Sequence, residues 1–568
     1  MKRAISVLLV VLLTACSKPP VPEADLVLTN GKIFTVYKDQ PWVSAVAIKD
    51  GRLIAVGNND EIAHYIGGST AKLDLEGRMA MPGIVDTHMH PDNVAMDSQR
   101  CILPGTFENP GEDDLIAAIL ECDERFADDE ILYGYRFTTS AITPGRMNRW
   151  FLDELISDRP VFLRDEAGHT VWINTKALEL AGLTSDVVGP KGGEVVKNDK
   201  GELTGVFKSA AGGLLGSLWR GDETPDTEVL REGVNWTLDE MTRLGVTSYM
   251  DANFKLQMLP LWEQVFASRK VSPQASLCFW ATGDMTMPDA RAIREAFDNA
   301  RLPENTRLCA KIYGDNVLEA GTAGLLQNYA DRDHAGQSNQ TPEFLKEVVR
   351  ELDKYDIQIK THAIGDRIAR NVLDAYEEVI EARGGNPLRH HLAHLTTVAP
   401  EDYPRFRQLD VPGEFIGLIT ALIPYVKLSY YRTLGHDRFH ERMMPIGALH
   451  RAGATLSASS DWGAAILDPM RGIQTTVTRK DPNNPEAPIA GPEHTVDLET
   501  AIAMNTINGA YLLGREHQTG SLEVGKMADL IVLDQNLFDV PVEEIRYTKV
   551  LLTLIGGRVA WKAGEFAL

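Results

Sequence analysis

The chain has 568 residues, with 57 Lys and Arg against 80 Asp and Glu, and a formal net charge of −23. That balance argues against nucleic acid or an anionic membrane surface as a partner, because both are held by basic patches. The hydrophobic fraction of 44% and charged fraction of 24% are ordinary for a globular protein with a large core, built either as roughly three or four domains of about 150 residues or around a barrel of about 250.

The chain opens as a targeting segment. Lys2 and Arg3 form a positive region and Ala4 to Leu13 a short apolar one, too short for a membrane span. Leu13-Thr14-Ala15-Cys16 resembles a bacterial lipobox, which implies a signal peptide over 1–15, lipidation at Cys16 and a Pro-containing tether over 16–24. The alternative is ordinary secretory cleavage near Ala15. With lipidation, the protein is expected in the cell envelope, anchored by acyl chains and facing the periplasm. Ser17 after the cysteine favours the outer membrane. Four further cysteines follow. Cys278 and Cys309 lie in apolar runs and read as buried free thiols, while Cys101 and Cys122 could pair.

From 25 to 80 short apolar runs alternate with Asn30-Gly31 and Asp50-Gly51, which are hairpin signals. The end of the chain repeats this grammar, in Leu530-Ile531-Val532-Leu533 and in Val550 to Ile555 before Gly556-Gly557. Both ends together predict one composite β-sandwich, from 25–80 plus 515–568.

Between them, buried strands alternate with helical stretches, the pattern of βα units and a parallel sheet. Candidate strands are Met79–Asp86, Ile131–Tyr135, Pro160–Arg164, Val246–Met250, Ala275–Trp280, Arg307–Tyr313, Ile357–Thr361, Leu388–Leu395, Phe415–Thr420 and Ala454–Ser459. The fold class is α/β, a (β/α)8 TIM barrel over 81–514. More than eight strands are present, so some belong to an insertion within about 95–240, where Gly189–Gly205 looks like a hairpin lid. A late helix is expected over Leu498–Leu513.

In such a barrel, side chains at C-terminal strand ends face the active site. The first strand ends in His88-Met89-His90, and residues two apart on a strand point the same way. Later ends supply Lys311, His362 with Asp366, the run His390-His391-Leu392-Ala393-His394, and Ser460-Asp461-Trp462. His390 shares strand parity with His394 and His391 does not; either could stand in for His394. The other histidines, among them His494, read as solvated or structural, with His440 the first exception to consider.

This set, in this order, resembles the metal-dependent amidohydrolase superfamily, in particular its YtcJ-like (amidohydrolase family 3) branch. The resemblance rests on Met81-Pro82-Gly83 leading to His88 and His90, on His362-Ala363-Ile364-Gly365-Asp366, on Ser460-Asp461-Trp462, and on Gly520-Ser521-Leu522-Glu523 with Ala528-Asp529-Leu530. It implies that His88, His90 and Asp461 hold one divalent metal ion and His362 and His394 a second. Lys311 would bridge them as a CO2-derived carbamate; the alternative is a salt-bridging lysine beside a single ion. Imidazole and carboxylate ligands suit zinc, with iron or manganese also compatible. Asp461 would also act as general base and acid.

The implied activity is hydrolysis of a C–N bond in a small amide, formamide or cyclic amide. Alternatives on the same fold are a mononuclear hydrolase of an ester or another substrate, and an exported binding lipoprotein without turnover. His169 and Trp462 are candidate substrate contacts. Asp86 and Asp366 read as supporting residues. The chain departs from the branch at Glu319 and Lys208, and both departures would bear on substrate choice. Oligomeric state is left open, a homodimer included.

Overall fold

The computed structural model describes residues 22–566 apart from 99, 107, 109, 167–169, 191, 192, 217, 219–226, 284, 485 and 565. The signal segment, Cys16 and His169 lie outside the described residues. Among the described residues no helix is long and apolar enough to cross a membrane.

Eight strands form one sheet in sequential order, and they are numbered here as barrel strands. They are β1 (Ile84–Met89), β2 (Val246–Phe254), β3 (Gln274–Thr282), β4 (Arg307–Tyr313), β5 (Gln358–Ala363), β6 (His391–His394), β7 (Gly413–Ile416) and β8 (Leu456–Ser459). Every neighbouring pair is parallel. β8 meets β1 through Thr87 Oγ1, which donates to Ala458 O at 3.0 Å. Just beyond, Asp461 N donates to His88 O at 2.8 Å and His90 N to Trp462 O at 2.7 Å.

The run Met79–Asp86 was expected as one strand, but it serves two sheets. Met79–Pro82 pairs antiparallel with Leu530–Leu533 in the composite sheet, and β1 begins at Ile84. Gly83 is the joint: a Cβ there would collide with the Thr247 side chain. The six-stranded composite sheet runs 558–562, 550–555, 530–533, 79–82, 32–34 and 42–43, so both ends of the chain build it. A four-stranded sheet (Leu26–Thr29, Ala45–Lys49, Arg52–Gly57, Ala71–Asp74) faces it across a core that includes Leu28, Val46, Leu530 and Leu554.

Residues 101–209 form another six-stranded sheet with its own core around Phe137, Phe151 and Trp172. The candidate strands Ile131–Tyr135 and Pro160–Arg164 belong here, as Leu132–Phe137 and Val161–Asp165. The Gly-rich hairpin is the edge of this sheet: Gly193–Lys197 pairs with Leu203–Ser209. Helix Thr227–Arg243 then leads back into β2.

Two readings change. The helix expected over Leu498–Leu513 is broken into Leu498–Met504 and Ile507–Leu512. The break frees the Asn505 carbonyl to accept from Val85 N at 2.8 Å, and Gly509 lets the second helix close on Val85, where a Cβ would lie 2.9 Å away. Ala510, Leu512 and Leu513 thereby plug the barrel floor against Val85 and Met250. Second, Cys278 and Cys309 are not free thiols. They face each other in direct register on β3 and β4, Cα atoms 4.1 Å apart, and form a disulfide. Strand register is invisible in a single sequence, so neither cysteine announced its partner. Cys101 and Cys122 also pair, with Cα atoms 5.4 Å apart.

Candidate metal centre

β1 presents His88 and His90 on one side, their ring centroids 5.3 Å apart. Pro91 opens helix Pro91–Asp97 directly after them. Asp461 lies past the end of β8 with φ +56°, in the left-handed region that non-glycine residues rarely adopt. Its Oδ1 sits 3.1 Å from His90 Nε2 and 3.6 Å from His88 Nε2. That oxygen is buried and makes no hydrogen bond among the described residues. Ligand atoms of the three residues all lie within 4.8 Å of one another. Two imidazoles and an unbonded carboxylate oxygen converging in this way fit a divalent cation.

The remaining candidates adjoin this trio. Lys311 Nζ lies 3.3 Å from His88 Nε2. The His394 ring centroid is 4.5 Å from that of His88 and 4.5 Å from that of His362. All six residues named from the sequence therefore meet at the C-terminal mouth of the barrel. Simple alternation from His391 would turn His394 outward. Positive φ at His394 (+70°) and Leu395 (+39°) breaks the alternation at the strand end.

The two alternative histidines, His390 and His391, have partners of their own. His390 faces outward: its Nε2 is 3.0 Å from Asp353 Oδ1 on helix Pro342–Lys354. His391 is fully buried, its Nδ1 3.0 Å from Arg389 O. Burial, with the Lys360 charge, pushes it down to about 3. Neither replaces His394 beside His362.

Two buried residues at the centre were not picked out from the sequence. Glu414 Oε1 lies 2.8 Å from His88 Nδ1, and Glu414 Oε2 is bonded by the Lys360 ammonium. Lys360 also donates to Thr87 O at 2.7 Å. A hydrogen bond from Nδ1–H to the carboxylate leaves the Nε2 lone pair of His88 turned toward Asp461 and Lys311. One signal was available: Lys360 stands two before His362, so strand parity puts both on one face. Glu414 shows only as a charge inside an apolar run.

The electrostatics follow from burial. Burial, with the Lys360 charge, pushes Lys311 down to about 7. Burial pushes His362 down to about 3, and its Nε2 lies 3.2 Å from Asn316 O. Burial holds His88 and His394 well below the ordinary imidazole value. All three imidazoles are thus neutral at pH 7, the state in which they can ligate.

Supporting residues fix the strand ends. Asp86 Oδ1 accepts from His88 N (3.1 Å) and Ser460 N (3.2 Å), joining the β1 and β8 ends. Asp315 accepts from Ile364 N and Gly365 N just past His362. Asp366 begins the helix after β5 and accepts from Leu326 N and Arg442. At the mouth, Trp280 packs tilted against Tyr313 with centroids 4.7 Å apart, and Tyr313 stacks on His362 at 5.5 Å. Trp280 remains 54% exposed, so this aromatic ladder is open to solvent at its outer end. Trp462 lies near Trp236 and lines a cavity of about 530 Å³ between the insertion and the barrel. Lys208 pairs with Glu194 on the insertion hairpin, Nζ to Oε2 3.0 Å.

A model of the amidohydrolase family matches residues 72–560. The chain is 26% identical over 551 residues to the protein LONG AFTER FAR-RED 3 of Arabidopsis thaliana, covering 94% of this chain and 91% of that one. It is 26% identical over 545 residues to an N-substituted formamide deformylase of Arthrobacter pascens, covering 94% and 97%. Among solved structures, it resembles an uncharacterized metal-dependent hydrolase from Pyrococcus horikoshii with TM-score 0.67 and 20% identity, over 91% of this chain and 99% of that one.

Proposed function

The chain belongs to the amidohydrolase family and is a metal-dependent C–N hydrolase, and from that premise we propose that it cleaves a small amide or formamide at a two-ion centre with Asp461 as general base and acid. His88, His90 and Asp461 would hold one ion, and His362 and His394 the other. Lys311 would bridge them after its neutral amine adds to CO2, forming an N–C bond and releasing a proton. Zinc is the ion this N/O set suits best. When bound, such ions lower the pKa of water toward about 7 and polarise the scissile carbonyl.

The observation that carries the reading is Asp461 Oδ1, buried and unbonded beside His88 and His90. Asp461 accepts the proton of the attacking water and returns it to the leaving nitrogen. A C–O bond forms as the C–N bond breaks, and the acid product gives its remaining proton to the freed amine, leaving a carboxylate and an ammonium. The bridging role rests on a contrast between two buried lysines. Lys360 is paired with Glu414, whereas Lys311 has, among the described residues, only His88 Nε2 within hydrogen-bond reach. Only the second is suited to lose its charge and carry a carbamate.

The Arthrobacter relative makes N-substituted formamides the first substrates to try. Metal analysis of the purified protein tests the centre: two equivalents are expected, falling to one in Lys311→Ala. A single equivalent in the unmodified protein would overturn the bridge. It would favour instead a mononuclear enzyme, a second reading supported by the fact that only His88, His90 and Asp461 form a three-ligand cluster among the described residues.

The protein is also read as an envelope lipoprotein anchored at Cys16 and facing the periplasm. The Leu13-Thr14-Ala15-Cys16 run supports this, and two disulfides fit an oxidising compartment. Labelled palmitate should enter the unmodified protein and not Cys16→Ala; equal labelling would refute the anchor.

A further inference from the structure

Glu319 stands six positions beyond Tyr313, in the segment after β4, and hence at the face where the six site residues converge. Its Oε1 accepts a hydrogen bond from Tyr425 Oη at 2.9 Å. Its Oε2 is closed to solvent and makes no hydrogen bond among the described residues. Arg332 is close, but it donates to the main-chain carbonyl of Glu319 at 3.2 Å and to the Asp331 carboxylate at 3.0 Å. A buried carboxylate oxygen without a donor is costly, and native structures keep few of them.

The surroundings of that oxygen are aromatic. Tyr425 and Tyr430 meet edge to face with centroids 5.5 Å apart, their hydroxyls separated by 3.5 Å. Tyr430 is 4% exposed and belongs to a π-helical turn, Lys427–Tyr431, in the segment after β7. Such turns are frequent at functional sites. Burial, the Glu319 charge and the Asp461 charge all hold the Tyr430 phenol above its ordinary value, so both carboxylates lie within electrostatic reach of it.

We propose that Glu319 Oε2 accepts the N–H of the substrate's leaving nitrogen and afterwards holds the released ammonium against Tyr425 and Tyr430. The substrate class is then N-monosubstituted amides. The inference rests on the C–N hydrolase reading. An N,N-disubstituted amide has no N–H to offer and would leave Oε2 unpaired beneath it. Sites built to hydrogen-bond a substrate N–H reject analogues that lack it far more strongly than apolar pockets reject a methyl group. An ammonium beside a carboxylate and two phenol rings is also favoured by their electrostatics.

The test uses metal-loaded full-length protein with N-benzylformamide and N-benzyl-N-methylformamide. The unmodified protein should prefer the first by at least about 100-fold in kcat/KM, and Glu319→Gln should reduce that ratio to within about tenfold. Gln keeps an oxygen for Tyr425, and metal content and melting temperature should not change. Equal turnover of both compounds, or an unchanged ratio in the variant, would overturn the proposal. If neither amide is hydrolysed, the substrate reading fails separately, and calorimetric binding of benzylammonium decides this proposal. Binding at least about tenfold weaker in Glu319→Gln supports it, and equal affinity overturns it. Should Glu319→Gln fail to fold, Tyr425→Phe replaces it: weaker ammonium binding supports the role, and unchanged binding refutes it.

Discussion

His88 Nδ1 and Glu414 Oε1 lie 2.8 Å apart with both side chains closed to solvent, and Lys360 binds the other oxygen of the same carboxylate. Glu414 therefore has two tasks: it orients a proposed ligand and neutralises a buried ammonium. These tasks can be separated. Glu414→Leu removes the carboxylate and strands Lys360, at an expected cost of about 3–5 kcal/mol. Adding Lys360→Met should restore most of that stability. Metal affinity, measured by chelator competition, should stay about 10–100-fold below the unmodified protein in both variants. Full recovery of affinity in the double variant would show that Glu414 does not act through His88.

Among the described residues Asp461 makes no hydrogen bond through Oδ1, and its main chain is locked to β1 by the bond from its N–H to His88 O. Asp461→Asn keeps the shape and removes proton acceptance. A fall in kcat of about 10²–10⁴-fold is expected, with KM little changed. Steady-state kinetics on a formamide decide it, and a kcat within threefold of the unmodified enzyme would rule out the general-base role.

The exposed end of the Trp280–Tyr313–His362 ladder should contact the substituent of the substrate. Aromatic pairs contribute about 0.5–1.5 kcal/mol beyond area burial. Trp280→Ala should thus raise KM for N-benzylformamide about 3–10-fold and leave N-methylformamide unaffected. A parallel change for both substrates would indicate a general loosening of the mouth instead.

His494 predicts a specific acid sensitivity. Its side chain is 3% exposed and its Nε2 lies 3.0 Å from His440 O. Burial, with the Arg479 charge, pushes it down to about 4. A histidine whose folded value is depressed contributes fully above its unfolded value of about 6.5. That contribution is lost as pH falls from there toward 4. At pH 5 the loss is about 2 kcal/mol. His494→Gln retains an N–H donor and does not titrate. Between pH 7 and pH 5 it should lose about 2 kcal/mol less stability than the unmodified protein in urea unfolding. Identical acid slopes would refute this assignment.

The barrel was legible because strand ends and chemistry coincide in sequence. His88-Met89-His90 obeys a period of two, and Lys311, His362 and Asp461 each stand at or near the C-terminal end of a strand-like run. His394 was legible from the resemblance and not from alternation, since a positive φ turns it. Lys360 could have been read from its parity with His362. Glu414 could not, because nothing local distinguishes a buried charge that has partners from an error in the strand assignment.

Taken alone, the sequence determined which residues are available to the centre and in what order, because periodicity and strand ends are local properties of the chain. Contacts between distant segments were decided only by the fold. Gly83 divides one apolar run between two sheets, and Cys278 meets Cys309 through strand register. Glu414 joins His88 to Lys360 from three different strands, and Glu319 keeps a buried oxygen unbonded among the described residues after β4. Each depends on how strands align and how backbone angles turn a side chain, and those are fixed by packing across the molecule.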